Sequence, residues 1–578
     1  MKKLVSRFMA VLMAMTMILS MSMTAFAAEA QKGTLTVKNT VAGKTLDLYQ
    51  IFTATKSGDN VAYTLNSAYE GFFQSKITDA SALTGEALSE KAYDYVKTLV
   101  GTDGSNGAAF AKDMLGWILD SKNNITATKT VVTTAPSTQI SDLAYGYYLV
   151  YPKGATDTSA APGNQTYTSA ASLVNVTGDT SINMKSNYPT VDKKIIPAQS
   201  GSGIKVGAIV DASWDGSHHM GLEDDENESE DTIAPRGAAD EKKAGDFGIG
   251  DTVTYQLTSK VPDMTGYNSY TFKFSDALSK GLDLKEVLSV KVGNTTLTAK
   301  GTGANTYALA YDQAKRTLTV TLNDFYNSYK NHTGETITVV YTATLNKDAV
   351  IGMNPNTNKA VVEYSNDPTT GGTGTSEPSI VDVHTFDFTI YKYYLKGQKK
   401  TSLANAEFEL YKANKAGDAA DTNAKINIVD EGKGVYRQAT ADEAKVTGFT
   451  SAKIVSDADG KVLVKGLVAG TYYLRETKAP EGYNKLLSDI TVVIKADYDV
   501  KTGKLTSYSV DYTYNGTKTP GTAITSKDNS PEVPVENKTG AQLPSTGSKG
   551  ALMVTLAGIV LFGALTVSKA FGKKKAKN

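Results

Sequence analysis

The sequence predicts a mainly β protein built from three tandem β-sandwich domains, the first with a helical insertion. Strand-like runs separated by Gly, Asn, Asp and Pro turns fill residues 33 to 540. Apolar residues make up 40% of the chain, and Gly, Thr, Tyr and Val are abundant, which is typical of extracellular β-sandwich proteins. A length of 578 residues is enough for about three or four domains.

The N-terminal residues 1–27 have the pattern of a secretory signal peptide. Basic residues at positions 2, 3 and 7 precede an apolar run from Phe8 to Met23, and Ala25-Phe26-Ala27 follows as a cleavage site. The run is short for a membrane anchor and ends in small residues. We therefore expect an exported protein that is cut after Ala27.

The C-terminal residues 542–578 have the pattern of a membrane-held tail. An apolar stretch of about 20 residues is long enough to span a bilayer, and the lysines that follow it are expected to stay cytoplasmic. Directly before this stretch stands a short motif made of Leu543, Pro544, Ser545, Thr546 and Gly547. We expect the precursor to be held at the membrane by this tail.

Composition excludes several classes of function. Lysine plus arginine and aspartate plus glutamate number 60 each, which gives no reason to expect a nucleic-acid partner. The chain has no cysteine and none of the common nucleotide-binding or metalloprotease motifs. The His218-His219 pair lies in an acidic insertion, residues 212–245, and is interpreted as part of a solvated loop. We expect no metal site, no cofactor and no enzymatic activity.

The exported part divides near residues 187 and 382. The helical candidate, "SEKAYDYVKTLV" followed by "AAFAKDMLGWIL", lies in the first domain, 28–187. The middle domain spans 188–382 and ends in a Gly/Thr-rich stretch, and the last domain spans 383–541. "LAYGYYLVYPKG" in the first domain resembles "LVAGTYYLRETKAPEG" in the last, which indicates that the two domains share a fold.

One carboxylate in the last domain is predicted to face a core. In "TYYLRETK", strand alternation puts Glu476 on the same face as Leu474. A buried carboxylate needs polar partners, and the same test finds two. Lys392 is in phase with apolar residues of "TFDFTIYKYYL", and Asn537 is in phase with the valines of "SPEVPVENKTG".

The middle domain repeats this set of residue types. Lys193 is in phase with the apolar residues of "YPTVDKKII", whereas Lys194 falls on the opposite face. Asp251 is in phase with the apolar residues of "GIGDTVTYQL", and Asn358 with those of "NKAVVEYSNDP". In both domains the order is a lysine near the start, an acid between, and an asparagine in the closing strand.

Such a trio is suited to forming an intramolecular Lys–Asn amide bond. Burial favours the neutral amine and the protonated acid, so the amine can attack the asparagine amide while the acid polarises it. Ammonia leaves, and no cofactor is needed. Any one of these residues alone has an ordinary explanation, since strand-end lysines snorkel and asparagines favour turns. Six positions with the same order and phase favour the bond.

Two stretches resemble a known family. "YYLRETKAPEGY" is similar to the acid-bearing motif of CnaB-type domains, and "GDTVTYQL" with "NKAVVEYSNDP" resembles the isopeptide-forming, Ig-like middle domain of sortase-assembled backbone pilins of Gram-positive bacteria. The resemblance implies a Lys193–Asn358 bond catalysed by Asp251 and a Lys392–Asn537 bond catalysed by Glu476. In the first domain Tyr151 stands where the acid would be, so no bond is predicted there.

The resemblance also implies how subunits are joined. A sortase would cleave between Thr546 and Gly547 and pass the Thr546 acyl group to a lysine of the next subunit. Family members usually carry this lysine in a Tyr-Pro-Lys motif. At the join "INMKSNYPTVDKK", Lys185 takes its place, and Lys153 of Tyr151-Pro152-Lys153 is the second choice.

The predicted function is therefore structural: the major subunit of a covalent pilus, secreted and anchored to cell-wall peptidoglycan at the cell surface. The implied partners are pilus-specific and housekeeping sortases, identical subunits, peptidoglycan, minor or tip pilins and host surface ligands. The alternative is a monomeric wall-anchored adhesin of the same domain type, which would lack a lysine that a sortase can use.

Overall fold

The computed structural model describes residues 31–100, 107–155, 171–184, 188–199, 203–206, 243–368, 371–499, 502–526 and 529–540. These residues are mainly β and form sandwiches of paired sheets, with a helical insertion early in the chain, as predicted. No helix among them is long and apolar enough to cross a membrane. The predicted signal peptide and membrane span lie outside the described residues. The domain boundaries near 187 and 382 stay predictions.

The first domain is a sandwich of a three-stranded sheet, in the order β5-β1-β8, and a five-stranded sheet, in the order β3-β2-β6-β7 with β4 beside β2. The strands are β1 Lys32–Lys38, β2 Thr45–Ser57, β3 Asn60–Leu65, β4 Lys129–Val132, β5 Ser137–Ala144, β6 Gly146–Pro152, β7 Ser172–Val176 and β8 Thr180–Asn183. The helices are α1 Glu70–Lys76, α2 Gly85–Val100 and α3 Gly107–Leu119, with 3-10 turns at Ser67–Tyr69 and Ser121–Asn123.

The larger sheet of this domain is covered on both faces. Tyr148 and Val150 of β6 face the smaller sheet, whereas Leu149 and Tyr151 face a core built with the three helices. Burial on both faces explains why the β6 sequence "YYLVY" is continuously apolar or aromatic rather than alternating.

The middle domain pairs a sheet of order β10-β14-β19-β12-β9, called sheet M1, with a sheet of order β11-β22-β20-β13-β18-β17-β16, called sheet M2. β15 adds to β14 and β21 to β20. The elements are β9 Asp192–Ile196, β10 Ile204–Lys205, β11 Ala244–Asp246, β12 Thr252–Lys260, β13 Phe272–Leu278, β14 Leu282–Val292, β15 Thr295–Thr296, β16 Thr298–Ala299, β17 Thr306–Asp312, β18 Thr317–Leu322, α4 Phe325–Tyr329, β19 Thr336–Leu345, β20 Asn356–Ser365, β21 Thr373–Thr375 and β22 Ser379–His384.

The last domain pairs a sheet of order β24-β23-β30-β28-β27, called sheet C1, with a sheet of order β26-β25-β31-β32-β33-β34, called sheet C2. β35 adds to β23 and β29 to β25. The elements are β23 Phe386–Lys396, β24 Lys399–Ser402, β25 Glu407–Ala413, β26 Ala420–Lys425, β27 Ile428–Gly432, β28 Val435–Gln438, α5 Ala441–Lys445, β29 Ile454–Val455, β30 Lys461–Leu467, β31 Gly470–Lys478, β32 Ile490–Tyr498, β33 Leu505–Tyr514, β34 Thr517–Thr519 and β35 Glu532–Glu536.

The middle and last domains meet through hydrogen bonds that backbone amides donate. The Ile249 amide donates to the Gly466 carbonyl at 2.9 Å, and the Ala469 amide donates to the Asp246 carboxylate at 2.9 Å. Gly466 has φ of +82°, and a Cβ atom there would lie 2.6 Å from the Ile249 side chain. A glycine is therefore required where the two domains touch.

Candidate functional site

The last domain brings its predicted trio together in the core. Lys392 lies on β23, Glu476 on β31 of the opposite sheet, and Asn537 directly after β35. β35 runs parallel to β23 with Val535 opposite Lys392, so Asn537 lies close to the lysine in the same sheet. Strand alternation was sufficient here because all three positions lie within or at the end of regular strands.

The contacts of this trio converge on the carboxylate. Lys392 Nζ lies 2.9 Å from Glu476 Oε1, and both side chains have 0% exposure. Asn537 Nδ2 donates to Glu476 Oε2 at 3.1 Å and to the Asn484 carbonyl at 2.7 Å. Burial lowers the pKa of Lys392 to about 8, and the Glu476 carboxylate opposes this shift. The amine can therefore lose its proton more easily than an exposed lysine.

The middle domain brings Lys193 and Asn358 together, with Asp276 as the carboxylate between them. Lys193 Nζ lies 2.5 Å from each carboxylate oxygen of Asp276. Asp276 and Asn358 lie on β13 and β20 of sheet M2, where Asn358 pairs with Leu278, two residues beyond Asp276. Lys193 lies on β9 of sheet M1, so the contact crosses the sandwich. The exposed fractions of Lys193, Asp276 and Asn358 are 0%, 1% and 0%.

Tyr341 completes this site from β19 of sheet M1. Its hydroxyl accepts a hydrogen bond from Lys193 Nζ at 2.6 Å and from Asn358 Nδ2 at 2.7 Å. It donates to Asp276 Oδ2 at 2.7 Å. The Tyr341 ring stacks on Tyr255, with ring centroids 5.2 Å apart, and the Lys193 ammonium lies 4.8 Å from the Tyr255 ring centroid.

Burial sets the protonation of the middle site. It lowers the pKa of Lys193 to about 8 and raises the pKa of Asp276, while the attraction between the two groups opposes both shifts. Burial also holds the pKa of Tyr341 well above its ordinary value. These directions favour a neutral amine beside a protonated carboxyl, which is the state that Lys–Asn bond formation requires.

The prediction that Asp251 lies in the core beside Lys193 as the catalytic acid was wrong. Asp251 precedes β12, in a turn where its carboxylate accepts from the Gly248 amide at 2.8 Å. The two glycines of this turn, Gly248 and Gly250, approach Gln438 and Thr440 of the last domain. The alternation rule fails because β12 begins only at Thr252, and the Asp251 side chain turns back to the amide of the preceding turn instead of entering the sandwich.

The sequence did carry a signal for Asp276. In "FKFSDAL", Asp276 is in phase with Phe272, Phe274 and Leu278, which is the pattern that revealed Glu476. Tyr341 carries no comparable signal, since a tyrosine among the apolar residues of "TITVVYTATL" needs no polar partner to be expected there. The closing-strand assignment of Asn358 also needs correction, because β21 and β22 follow β20.

The first domain has a different arrangement at the corresponding strand. Tyr151 is buried at 2% exposure. The lysine of the first strand that would correspond to Lys193 and Lys392 is Lys38 of β1, and it is exposed. The buried Asp47 accepts from Thr130 Oγ1 at 2.6 Å and lies 3.2 Å from Lys153 Nζ. That this domain forms no internal bond stays a prediction.

The residues predicted to join subunits are only partly described. Lys185 and the motif from Leu543 to Gly547 lie outside the described residues, as does the His218-His219 pair. Lys153 is described: its Nζ lies 3.2 Å from Asp47 and 3.2 Å from Asp367 of the middle domain. Burial lowers the pKa of Lys153, but the two carboxylates outweigh burial and raise it. No group of three or more potential metal ligands occurs in the described part of the chain.

Two stretches of the chain match known protein families. Residues 249–368 match the family model of the Gram-positive pilin backbone subunit 2, Cna-B-like domain. Residues 387–507 match the SpaA prealbumin-like fold domain. Two stretches of this chain are thus similar to domains of Gram-positive pilins. The two matched pilin domains contain Asp276, Tyr341 and Asn358 in one case and Lys392 and Glu476 in the other.

Individual pilin relatives are distant. The trypsin-resistant surface T6 protein of Streptococcus pyogenes serotype M6 is 26% identical over 308 residues, which is 51% of this chain and 50% of the relative. The chain thus matches about half the length of that curated relative. The structure of the T6 backbone pilin has 16% identity and a TM-score of 0.43, covering 89% of this chain and 100% of that one. The Corynebacterium diphtheriae major pilin SpaA has 15% identity and a TM-score of 0.40, with coverages of 88% and 100%.

The lowered pKa of Lys193 predicts a pH-dependent stability in a variant that cannot form the bond. In Asn358→Ala, the unfolded chain keeps a lysine proton between pH 8 and the ordinary value of 10.5 that the folded chain has released. The free energy of unfolding should therefore rise with pH in this window, by about 1 kcal/mol per pH unit.

The matched control is Asn358→Ala with Lys193→Met, which removes the titrating amine. Thermal unfolding of both variants at pH 7, 8 and 9 measures the effect. The stability of the single variant relative to the double variant should increase across this range. A constant difference would contradict the lowered pKa.

Proposed function

We propose that the chain is the major structural subunit of a covalent pilus, stabilised by two internal Lys–Asn isopeptide bonds. The observation that carries this proposal is the pair of fully buried lysines, each in contact with a buried carboxyl and next to an asparagine amide. Two such sites occur in domains that match pilin families.

Each site contains the groups that the reaction needs. The neutral lysine amine attacks the asparagine carbonyl carbon, the carboxyl donates a proton, and ammonia leaves, so that one amide replaces another. In the last domain Glu476 contacts both reacting side chains. In the middle domain Asp276 takes this role in place of Asp251, because it is the carboxylate in contact with Lys193.

The two bonds would carry tension differently from sheet hydrogen bonds. The Lys392–Asn537 bond would join β23 to the end of its parallel neighbour β35, and the Lys193–Asn358 bond would join the two sheets of the middle domain. A pull along the chain would then pass through the covalent bonds and bypass residues 194–357 and 393–536. This function suits a chain without cysteine, which has no disulfides to do the same.

Subunits would be joined by a sortase that cleaves between Thr546 and Gly547 and transfers Thr546 to Lys185 of the next subunit. Lys153 is less suited, because it is ion-paired with Asp47 and Asp367 and its side chain is only 23% exposed. The finished polymer would be attached to peptidoglycan at the cell surface by a housekeeping sortase, with minor or tip pilins and host surface ligands as further partners.

The internal bonds predict a mass deficit. The fragment from Ala28 to Ala541, which contains all described residues, should be lighter than its sequence by two ammonia masses in intact-mass spectrometry. Asp276→Ala and Glu476→Ala should each restore one ammonia mass, because each removes one carboxyl catalyst. Asp251→Ala is the matched control and should restore none. A full sequence mass for the unaltered fragment, or a mass restored by Asp251→Ala, would contradict the assignment.

The joining lysine predicts the outcome of polymerisation. Full-length precursor incubated with a pilus sortase in cells should give a ladder of covalent polymers on denaturing gels. Lys185→Arg should abolish the ladder, since arginine keeps the charge but is a poor nucleophile, whereas Lys153→Arg should leave it intact. If only Lys153→Arg abolished the ladder, the joining lysine would be Lys153 instead of Lys185. A precursor that stays monomeric on the wall in every case would support the adhesin alternative.

A further inference from the structure

The two candidate sites differ in how the carboxyl reaches the asparagine. In the last domain, Glu476 touches Lys392 with one oxygen and the leaving nitrogen of Asn537 with the other, at 2.9 and 3.1 Å. In the middle domain the acid is an aspartate, one methylene shorter. Both of its oxygens are in contact with Lys193.

The gap between Asp276 and Asn358 is filled by one hydroxyl. Tyr341 Oη lies 2.7 Å from Asp276 Oδ2 and 2.7 Å from Asn358 Nδ2, and it also accepts from Lys193 at 2.6 Å. It is therefore in contact with the acid, the nucleophile and the leaving group at once. These distances are those of good hydrogen bonds, along which protons can move.

This inference rests on the proposed internal bonds. We infer that Tyr341 is a catalytic residue of the middle domain and that it relays a proton from Asp276 to the leaving nitrogen of Asn358. The last domain needs no such residue, because its longer acid touches the leaving nitrogen directly. Tyr341 thus compensates for the shorter side chain of Asp276.

The protons balance along this route. Lys193 first gives a proton to Asp276, and its neutral Nζ attacks Asn358 Cγ to form the new C–N bond. Asp276 gives its proton to Tyr341 Oη while Tyr341 gives its own proton to Asn358 Nδ2. Asp276 then takes a proton from the attacking nitrogen, the bond from Cγ to Nδ2 breaks, and ammonia leaves. Ammonia takes the proton from Asp276 and departs as ammonium.

Tyr341 is suited to a relay rather than to ionisation. It has hydrogen-bond partners on both sides, and its ring is fixed by stacking on Tyr255. Burial disfavours the phenolate, so a proton must arrive as another departs. The tyrosine therefore starts and ends the reaction as a neutral phenol.

The test is the rate of bond formation in Tyr341→Phe. The fragment from Ala28 to Ala541 is made by cell-free synthesis, synthesis is stopped, and samples are quenched in acid over time. Quantifying the linked Lys193–Asn358 and Lys392–Asn537 peptides by mass spectrometry gives both rates in the same molecules. We expect the Lys193–Asn358 bond to form at least about tenfold more slowly, since a positioned acid–base group contributes roughly a hundredfold or more. The Lys392–Asn537 rate should be unchanged.

Two controls make the outcome specific. Tyr307→Phe removes a hydroxyl from another buried tyrosine of the same core and should change neither rate. If Tyr341→Phe fails to fold, a ring-fluorinated tyrosine at position 341 keeps the shape and makes the hydroxyl more acidic, and it should change the Lys193–Asn358 rate severalfold.

The possible failures can be told apart. An unaltered fragment that never forms the Lys193–Asn358 bond would overturn the proposed function of this domain. An unaltered fragment that forms it, together with equal rates in Tyr341→Phe or in the fluorinated protein, would overturn the relay alone.

Discussion

The contact between a buried lysine and a buried carboxyl is the constraint on which the middle and last domains depend. Each ion removed from water costs several kcal/mol, and a buried ion pair recovers this cost only with good geometry and further hydrogen bonds. Lys193 and Lys392 have 0% exposure, so the cost applies in full. A neutral pair lowers it, and conversion of the lysine into an amide removes the lysine charge altogether. The apolar core that makes the contact costly is thus what favours the covalent bond.

The two domains reach this contact by different strand geometry. In the last domain the lysine and asparagine come from parallel neighbours of sheet C1, and the acid reaches across from sheet C2. In the middle domain the acid and asparagine are diagonal neighbours in sheet M2, and the lysine reaches across from sheet M1. The aspartate of the second arrangement leaves a gap to the asparagine, and Tyr341 fills it. The shorter acid of the middle domain and the presence of Tyr341 are therefore linked.

Strand alternation was enough to predict the fold class and most of the candidate site. It placed Lys193, Lys392 and Glu476 in cores because each lies inside a regular strand whose neighbours are apolar. It failed for Asp251, which lies before the first residue of β12 and turns its carboxylate back to the Gly248 amide. It could not reveal Tyr341, because a buried tyrosine has the same sequence pattern whether its hydroxyl is catalytic or not. Alternation along one strand does not reveal which strands pair with each other, because pairing joins residues that are far apart in the sequence.

The most direct test of the covalent account is mechanical. The fragment from Ala28 to Ala541 is pulled between its two ends in a single-molecule force experiment. The account predicts that the first domain releases its length, whereas residues 194–357 and 393–536 release none, because each segment lies inside a closed covalent loop. Asn358→Ala and Asn537→Ala should each free one segment. Release of length from either of these two segments in the unaltered protein would contradict the account.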